Sequence, residues 1–445
     1  MREPYAFCML FSVRFSSPAS SGDRCIERLP LATREDYPME HPLDSAQAST
    51  RGELNSPSPF APLARQRAQA GLRNLFVADA LAMPVHWYYN PMDIERQFPG
   101  GIRKFEAAPE FHPSSIMSLH STSQGGRSAA ARGNRHGKPR QIVGEVILKG
   151  RERYWGVANT HYHHGMQAGS NTLNAHCVRA LLRTLAARSG LYDRDAFLDA
   201  YIELMTADPA LHPDTYAESY HRGFFANLDA GNAPHRCAAV THDTPSIGGL
   251  VSTAAIYLAG RLAGQSVDAL QQQCVDHLYL THPDEVLAGV CVHYTALLEA
   301  LLTRDDSTSV RELLVTTSKL SANFRVAELA AKAKDDREVI GGLFSSACYI
   351  DGAWPGLLYL AYKYVDQPEA ALIANTNLGG DNCHRGAVLG VLLGVANAVS
   401  VDNLYNALLD QEQIDSEIDA ALCSAAASNA APCDAAPCDA TPRAN

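Results

Sequence analysis

The chain has 445 residues, of which 46% are hydrophobic and 19% charged, a composition typical of a globular protein rather than a disordered one. Its net charge of -11 argues against a general nucleic-acid binder or a binder of anionic membranes, because either needs a positive face. The 11 cysteines contain no CxxC pair, which predicts free thiols in a reducing compartment and favours the cytoplasm. No apolar run is predicted to be long enough to cross a membrane.

The two ends of the chain differ in composition from the part between them. Residues 1–62 are rich in Ser, Pro and Arg and show little periodicity, which predicts either a disordered extension or an organelle-targeting segment. A low-complexity tail is assigned to residues 413–445, where an Ala-Pro-Cys-Asp motif occurs twice. The folded domain is therefore predicted over residues 63–412.

Helical periodicity dominates this domain and predicts an all-α fold, a single multi-helix orthogonal bundle. Helices are predicted over residues 63–81, 172–185, 193–206, 216–228, 245–262, 267–280, 284–302, 310–321, 354–364, 367–375 and 386–399. Residues from about 100 to 165 break the pattern with Gly, Pro and a basic stretch, and we expect a long insertion over one face of the bundle. Weak strand-like alternation occurs only near residues 141–148.

The first segment that indicates chemistry closes the first predicted helix. Asp79 is a carboxylate in an otherwise apolar run of small residues, and His86 follows Pro84 at the end of that run. Burying a lone carboxylate is costly, so Asp79 is expected to contact a cation or a hydrogen-bond donor. The alternative is a purely structural role, in which Asp79 ties neighbouring backbone amides.

The second segment is a loop that leads into the helix predicted from residue 172. It contains His163 and His164, and the small residues Gly169, Ser170 and Asn171 come directly before the helix. Small residues at a helix N-terminus let backbone amides approach an anionic ligand. The alternative is that Ser170 or Asn171 only caps the helix.

The third segment also leads into a helix and carries the densest group of functional side chains. Two glycines permit a tight backbone path, and five polar or reactive residues follow them before an apolar helix. A plain helix start needs one capping residue, so this density favours a functional site. The segment consists of Gly379, Gly380, Asp381, Asn382, Cys383, His384 and Arg385.

These segments resemble the motifs of the ADP-ribosylglycohydrolase family. Residues 78–86 resemble its GDALGAPVE motif, and residues 168–172 lie where its TDDTQ motif would fall. Residues 369–390 are similar to the region around its GGDTDT motif, and residues 281–284 resemble a helix start in its middle. The resemblance spans about residues 68–400 and implies the all-helical fold of that family.

The resemblance also implies a site that departs from the family pattern. In the family, the acidic motifs hold two magnesium ions that grip ribose hydroxyls. Here Asp381 remains, but the other acids of these motifs fall on Gly169, Ser170, His86 and Cys383. We therefore expect either a softer divalent metal such as zinc, held by Asp381, Cys383 and His384, or no metal.

The leading hypothesis is a divergent hydrolase that cleaves an ADP-ribosyl or other ribosyl N- or O-glycosidic bond in a small molecule or an ADP-ribosylated substrate. Asp381 would orient a ribose hydroxyl or act as the base, and a histidine can serve as general base near neutral pH. The candidate histidines are His86, His163, His164 and His384. The candidate substrate-binding residues are Asp79, Gly169, Ser170, Asn171, Gly379, Gly380, Asn382 and Arg385.

The alternative hypothesis is an inactive member of the family. Arg385 and the amides of Gly379 and Gly380 would then hold a phosphate or carboxylate of an ADP-ribose-like ligand without turnover. A purely structural role is a further form of this hypothesis.

Overall fold

The computed structural model describes residues 62–124, 141–305 and 307–423. The predicted N-terminal extension, apart from Pro62, and residues 424–445 of the predicted tail lie outside these residues. Within the described residues the secondary structure is helical, and β pairing is limited to isolated bridges. This confirms the predicted all-α fold class.

Seventeen α-helices and five short 3₁₀ helices make up the regular structure of the described residues. The α-helices are α1 Pro62–Ala82, α2 Pro91–Gln97, α3 Ile142–Glu145, α4 Leu173–Ala186, α5 Arg194–Thr206, α6 Ser219–Asp229, α7 Thr253–Leu262, α8 Val267–Tyr279, α9 Glu285–Thr303, α10 Val310–Ala322, α11 Val326–Lys332, α12 Asp336–Val339, α13 Ile350–Lys363, α14 Pro368–Asn377, α15 Asn382–Asn397, α16 Asp402–Tyr405 and α17 Gln411–Leu422. The 3₁₀ helices are Met83–Val85, Met117–Leu119, Glu152–Tyr154, Pro234–Arg236 and Ile247–Leu250.

Each predicted helix is present, although the one predicted over residues 245–262 is divided into a 3₁₀ turn and α7. The weak strand prediction near residues 141–148 is wrong, because α3 is a distorted turn in which Gly144 has φ +96°. The start of the tail at residue 413 is also placed too early, since α17 continues to Leu422. Its apolar residues recur every four positions, at Ile414, Ile418 and Leu422, and all three are buried.

The centre of the bundle is a close antiparallel pair formed by α1 and α15. Two glycines of α15 permit this approach. A Cβ on Gly390 would lie 2.4 Å from the carbonyl oxygen of Asn74, and one on Gly394 would lie 2.4 Å from that of Ala70. The pairing brings the end of α1 beside the start of α15, so the first and third chemical segments meet.

The C-terminal helix α17 closes the other side of this pair by packing against α4 and α1. Arg179 of α4 forms an ion pair with Glu417, with 2.8 Å between Nε and Oε2. Arg73 of α1 forms one with Asp415, with 2.6 Å between Nη2 and Oδ1. Both ends of the described domain therefore lie on one side of the bundle.

The described parts of the predicted insertion, residues 100–124 and 141–165, consist mainly of loops and short helical turns. Two parts of the insertion are joined by backbone hydrogen bonds, from His112 N to the Asn159 oxygen (2.8 Å) and from His161 N to the Glu110 oxygen (2.9 Å). The indole of Trp155 donates to the Thr215 oxygen, which joins the insertion to the loop before α6. The insertion thereby supplies part of the lining of the cavity described below.

Among the described residues, one helix passes a length and hydropathy test for a membrane span, which the sequence prediction overlooked. This is α9, with a mean hydropathy of 1.6 over its most apolar window. Because 56% of that window is buried inside the protein, α9 has the character of a core helix, and it is weak evidence for a span.

Candidate functional site

The site begins where the ends of α1, α4 and α15 come together. Asp79, near the end of α1, is buried and accepts hydrogen bonds from Thr172 N (2.8 Å), Thr172 Oγ1 (2.6 Å) and Asn171 Nδ2 (2.9 Å). Burial raises the pKa of Asp79, while these hydrogen bonds oppose the rise. Asp79 therefore ties α1 to the start of α4, as the structural alternative for this residue supposed.

The loop before α15 follows a left-handed path that its two glycines adopt without strain. Gly379 and Gly380 have φ angles of +66° and +65°, in the left-handed region. Gly380 exchanges backbone hydrogen bonds with the segment after α1, from Trp87 N to the Gly380 oxygen and from Gly380 N to the Tyr88 oxygen, each 2.8 Å. This pairing positions Asp381 directly beside His86.

A buried chain of hydrogen bonds runs through the site and joins six side chains. Asp214 Oδ1 lies 2.8 Å from His163 Nδ1, and His163 Nε2 lies 2.8 Å from His86 Nδ1. His86 Nε2 is 2.9 Å from Asp381 Oδ1, and His384 Nδ1 is 2.8 Å from the same oxygen. His384 Nε2 then reaches Glu218 Oε1 at 3.3 Å.

Two imidazoles bridge the carboxylates of Asp214 and Asp381 through three hydrogen-bond contacts. Each neutral imidazole carries one hydrogen and can donate it from one nitrogen while the other nitrogen accepts. Burial lowers the pKa of His86 to about 3, so His86 stays neutral. Contacts with His163 and with Leu173 N outweigh the effect of burial on Asp214 and hold its pKa below the usual range.

Opposite charges also stabilise each other at the end of the chain formed by Asp381, His384 and Glu218. Burial alone would raise the pKa of Asp381, but His384 and His86 outweigh it and hold that pKa well below its usual range. Burial alone would lower the pKa of His384, but Asp381 and Glu218 outweigh it and hold that pKa well above 6.5. The site is thus a compact, buried alternation of carboxylates and imidazoles.

A cavity of about 190 Å³ adjoins this chain at His384 and Glu218. Six of its lining residues are Trp or Tyr, and its polar groups include carboxylates, imidazoles and hydroxyls. It is lined by Trp87, Tyr89, Ser114, Ile116, His120, Tyr162, Tyr216, Glu218, Tyr220, His242, Asp243, Ser246, Ala347, Cys348, Tyr349 and His384. Of the residues selected from the sequence, His384 is the one that lines this cavity.

Two carboxylates face the cavity, and both are oriented by neighbours. Glu218 Oε1 accepts from Asn174 Nδ2 at 3.0 Å, while Glu218 Oε2 is buried and accepts no hydrogen bond from the described residues. Asp243 Oδ2 accepts from the backbone N (3.0 Å) and the hydroxyl (2.7 Å) of Ser219. Glu218 Oε2 therefore has unused acceptor capacity on the cavity wall, with His221 Nε2 as a neighbour at 3.6 Å.

Trp87 forms the wall between the cavity and His86. Its ring stacks on the His86 imidazole with 3.6 Å between ring centroids. Its backbone has φ +64°, a left-handed conformation that costs energy for a bulky residue. Strain of this kind is concentrated at functional sites, which supports the assignment of this cavity as one.

The other candidate residues lie behind the cavity wall. Asn171 Nδ2 donates to the Phe76 oxygen, and the Gly169 oxygen accepts from Leu409 N, so this loop packs on the bundle. Ser170 is buried, and its backbone N donates to the Gln167 oxygen.

In the third segment, polar side chains other than those of Asp381 and His384 also form hydrogen bonds that stabilise the fold. The Arg385 guanidinium is buried and donates to the Gly379 oxygen (2.8 Å) and to Asn375 Oδ1 (2.8 Å). Asn382 Nδ2 donates to the Thr376 oxygen (2.9 Å). These contacts hold the loop and direct both side chains away from the cavity.

Two further candidates stand apart from the hydrogen-bond chain. His164 is half-buried and lies over the ring of Tyr154, with 4.5 Å between ring centroids. Cys383 Sγ lies 3.6 Å from the Asp79 oxygen, and burial raises the pKa of its thiol well above 9. The ligand atoms that lie within reach of one ion belong to His86, Asp381 and His384, so His86 takes the place predicted for Cys383 in this cluster.

The two magnesium ions that the family resemblance implies do not fit these residues. Magnesium requires an octahedral set of oxygen ligands. Asp381 is the one carboxylate of the cluster, and both of its other members offer nitrogen. The oxygens of Asp79 are occupied by Thr172 and Asn171.

Sequence reasoning did not select Asp214, Glu218 or Asp243. The available signal was a pair of acids four residues apart, set among Tyr216 and Tyr220 directly before α6. Acids near a helix start normally suggest capping, but the Glu218 side chain makes no cap hydrogen bond. An acidic residue among aromatic residues at a helix start can therefore indicate a site carboxylate instead of a helix cap.

The fold and site together define an all-helical protein with a carboxylate-lined cavity at the meeting of three helix ends. A model of the ADP-ribosylglycohydrolase family matches residues 61–430. The chain therefore belongs to the ADP-ribosylglycohydrolase family, whose general hydrolase class it shares.

Comparison with individual proteins adds little to this assignment. One similar solved chain is from an "ADP-ribosylglycohydrolase-related protein complex", with 16% identity and a TM-score of 0.48. That match covers 81% of this chain and 99% of the solved chain. No curated protein matches the chain significantly.

Proposed function

We propose that this protein hydrolyses the glycosidic bond of an ADP-ribosyl or other ribosyl group held in the cavity beside His384. The observation that carries the proposal is the pair of carboxylates, Glu218 and Asp243, on the wall of one aromatic cavity. Cleavage of a ribosyl bond passes through an oxocarbenium-like state. One carboxylate of a pair can stabilise that state, and the other can activate the water molecule that completes the cleavage.

Glu218 is assigned the role of base that activates water. Its Oε1 is contacted by Asn174 and His384. We assign Oε2 to accept the proton of a water molecule, because Oε2 accepts no hydrogen bond from the described residues, although His221 Nε2 lies 3.6 Å from it. Asp243 is assigned to the developing positive charge of the sugar. His384 does not itself need to touch the substrate, because its contact with Glu218 already orients the base.

The size and lining of the cavity indicate which part of the ligand it encloses. Its volume of about 190 Å³ is below the roughly 300–1,000 Å³ of pockets that surround whole drug-sized ligands. It would therefore hold the ribose at which the bond breaks, and the rest of an ADP-ribosyl group would extend outward. Aromatic side chains such as Trp87 and Tyr216 offer flat faces to a sugar ring.

We expect Glu218→Gln to lower kcat/KM by about 10²–10⁴-fold, because the amide keeps the shape of the side chain but cannot accept the proton. The assay uses the purified full chain, offered ADP-ribosylated proteins and small ribosides, and quantifies the released ribosyl product. The matched control is Glu203→Gln at an exposed position of α5, which should retain full turnover. Equal turnover by the two variants would remove Glu218 from the mechanism.

One observation favours the alternative of binding without turnover. Asp381, the acid retained from the family motif, is fully buried, and both of its oxygens contact histidine nitrogens. It is therefore not presented to a ribose hydroxyl as the family resemblance implied. Calorimetric titration with ADP-ribose separates the two functions, since binding by the wild type with no turnover of any substrate would establish the alternative.

A further inference from the structure

We propose that His86, Asp381 and His384 form a mononuclear binding site for a transition-metal dication such as zinc, in place of the two magnesium ions expected of the family. The inference concerns metal binding alone and does not depend on the proposed hydrolysis.

The three side chains already converge as ligands of one ion would. One ligand atom from each lies within 4.8 Å of the other two. His86 Nε2 and His384 Nδ1 approach the same carboxylate oxygen, Asp381 Oδ1, at 2.9 and 2.8 Å. They come from two distant parts of the chain, and the Gly380 backbone pairing with Trp87 and Tyr88 holds them together.

The chemistry of the ligand set selects the class of metal. Two imidazole nitrogens and one carboxylate are the ligands favoured by zinc, cobalt and iron(II), whereas magnesium and calcium prefer oxygen alone. Three protein ligands also leave a position for water or substrate, as catalytic rather than purely structural metal sites do.

The remote nitrogen of each histidine has the partner that metal-bound histidines require. His384 Nε2 faces the Glu218 carboxylate at 3.3 Å. His86 Nδ1 faces His163, which is itself held by Asp214. Such carboxylate-terminated contacts fix the ring orientation and increase the basicity of the ligand nitrogen.

The cluster opens toward the cavity on the side of His384. Gly248 lies against this ring, since a Cβ added there would be 3.4 Å from His384 Nδ1. Ser246 Oγ lines the same cavity, is buried and has no hydrogen-bond partner among the described residues. An unused hydroxyl and the ring of His384 therefore both lie against Gly248 at the edge of the cavity.

Metal binding must displace the ring hydrogens that now point at Asp381. His384 releases its Nδ1 proton to solvent and keeps the hydrogen on Nε2, toward Glu218. His86 stays neutral by carrying its single hydrogen on Nδ1, toward His163, so that Nε2 is free to bind the dication together with the Asp381 carboxylate. Oxidation states are unchanged, and one proton is released for each ion bound.

The test is a titration of chelator-treated full-length protein with cobalt(II), followed by visible absorption, with zinc as competitor. We expect one cobalt per chain, with the intensified absorption of a low-symmetry site, and its displacement by zinc. His86→Ala and His384→Ala should each weaken binding by more than about 100-fold, and Glu218→Gln by about 10–100-fold. His235→Ala, at an exposed histidine outside the cluster, should bind as the wild type does.

The proposal fails if wild-type cobalt keeps the spectrum of the aqueous ion, or if the two ligand variants bind as tightly as His235→Ala. Should the ligand variants prove unfolded by circular dichroism, zinc X-ray absorption of the wild-type protein decides instead. Two imidazole ligands per zinc support the site, and none or one overturns it.

Discussion

Lowering the pH from 7.5 to 5 is expected to unfold this protein. The reason is a set of buried histidines outside the hydrogen-bond chain. Burial lowers the pKa of His176, His277 and His282 to about 3 each, and that of His212 to about 4. These side chains stay neutral in the folded state but become charged in the unfolded chain below about pH 6.5.

The direction of the pH effect on stability follows from which state, folded or unfolded, binds more protons. Between about pH 6.5 and the folded pKa of 3 to 4, the unfolded chain holds more protons than the folded one, so stability falls as pH falls. Each such histidine contributes a slope of about 1.4 kcal/mol per pH unit, or roughly 2 kcal/mol at pH 5. Four of them approach the 5–15 kcal/mol that stabilises a typical domain.

His384 has the opposite effect on stability, because its pKa is raised in the folded state. The stability that this side chain contributes is complete below pH 6.5 and is lost as the pH rises through its folded-state pKa. One such group cannot offset four. Urea unfolding at pH 7.5, 6.5 and 5.5 measures the slope. His277→Gln, which retains a polar partner for Tyr192 and Ser252, should reduce the slope by one proton. A free energy of unfolding that stays level across this range would contradict the prediction.

Gly380→Ala should lower the free energy of unfolding by about 2–5 kcal/mol. The left-handed φ of +65° costs a residue with a Cβ roughly 1–2 kcal/mol. The added Cβ would also lie 2.0 Å from the Ser346 carbonyl oxygen, and relieving such overpacking typically costs a further 1–3 kcal/mol. The shift would move Asp381 away from His86, so ligand binding should be lost as well.

Gly264→Ala is the control that separates these two causes. Gly264 has a φ of +88°, but a Cβ there would meet nothing within 4 Å. It should therefore show only the left-handed cost of roughly 1–2 kcal/mol. If urea unfolding gives the same loss for both variants, the contact with Ser346 does not matter and the account of this loop is wrong.

The fold was largely predictable because amphipathic helices carry their burial pattern in local spacing. The helices α4, α8 and α9 were predicted to within about two residues at each end. The short helices α2, α11, α12 and α16 were not, since elements of four to seven residues show too few turns for a period to be recognised. The family resemblance grouped the first and third segments, and in the structure the segment after α1 does lie beside the start of α15.

The site was less predictable because its geometry depends on long-range pairing. Whether Asp79 faced a ligand or tied two helices together could not be decided from its own neighbours. The orientation of Arg385 toward the backbone depends on the path of Gly379, and the exposure of Glu218 to the cavity depends on an insertion that supplies Tyr162. Local sequence does not encode either relationship.

The close pairing of α1 with α15 has a consequence for biosynthesis. Asn382 is added about 300 residues after Ala82, so α1 leaves the ribosome long before its main partner exists. At roughly 5–20 residues per second, that interval is about 15–60 seconds. During it the many apolar side chains of α1 have no permanent cover, which makes the nascent polypeptide a client for chaperones and delays completion of the core until translation is almost finished.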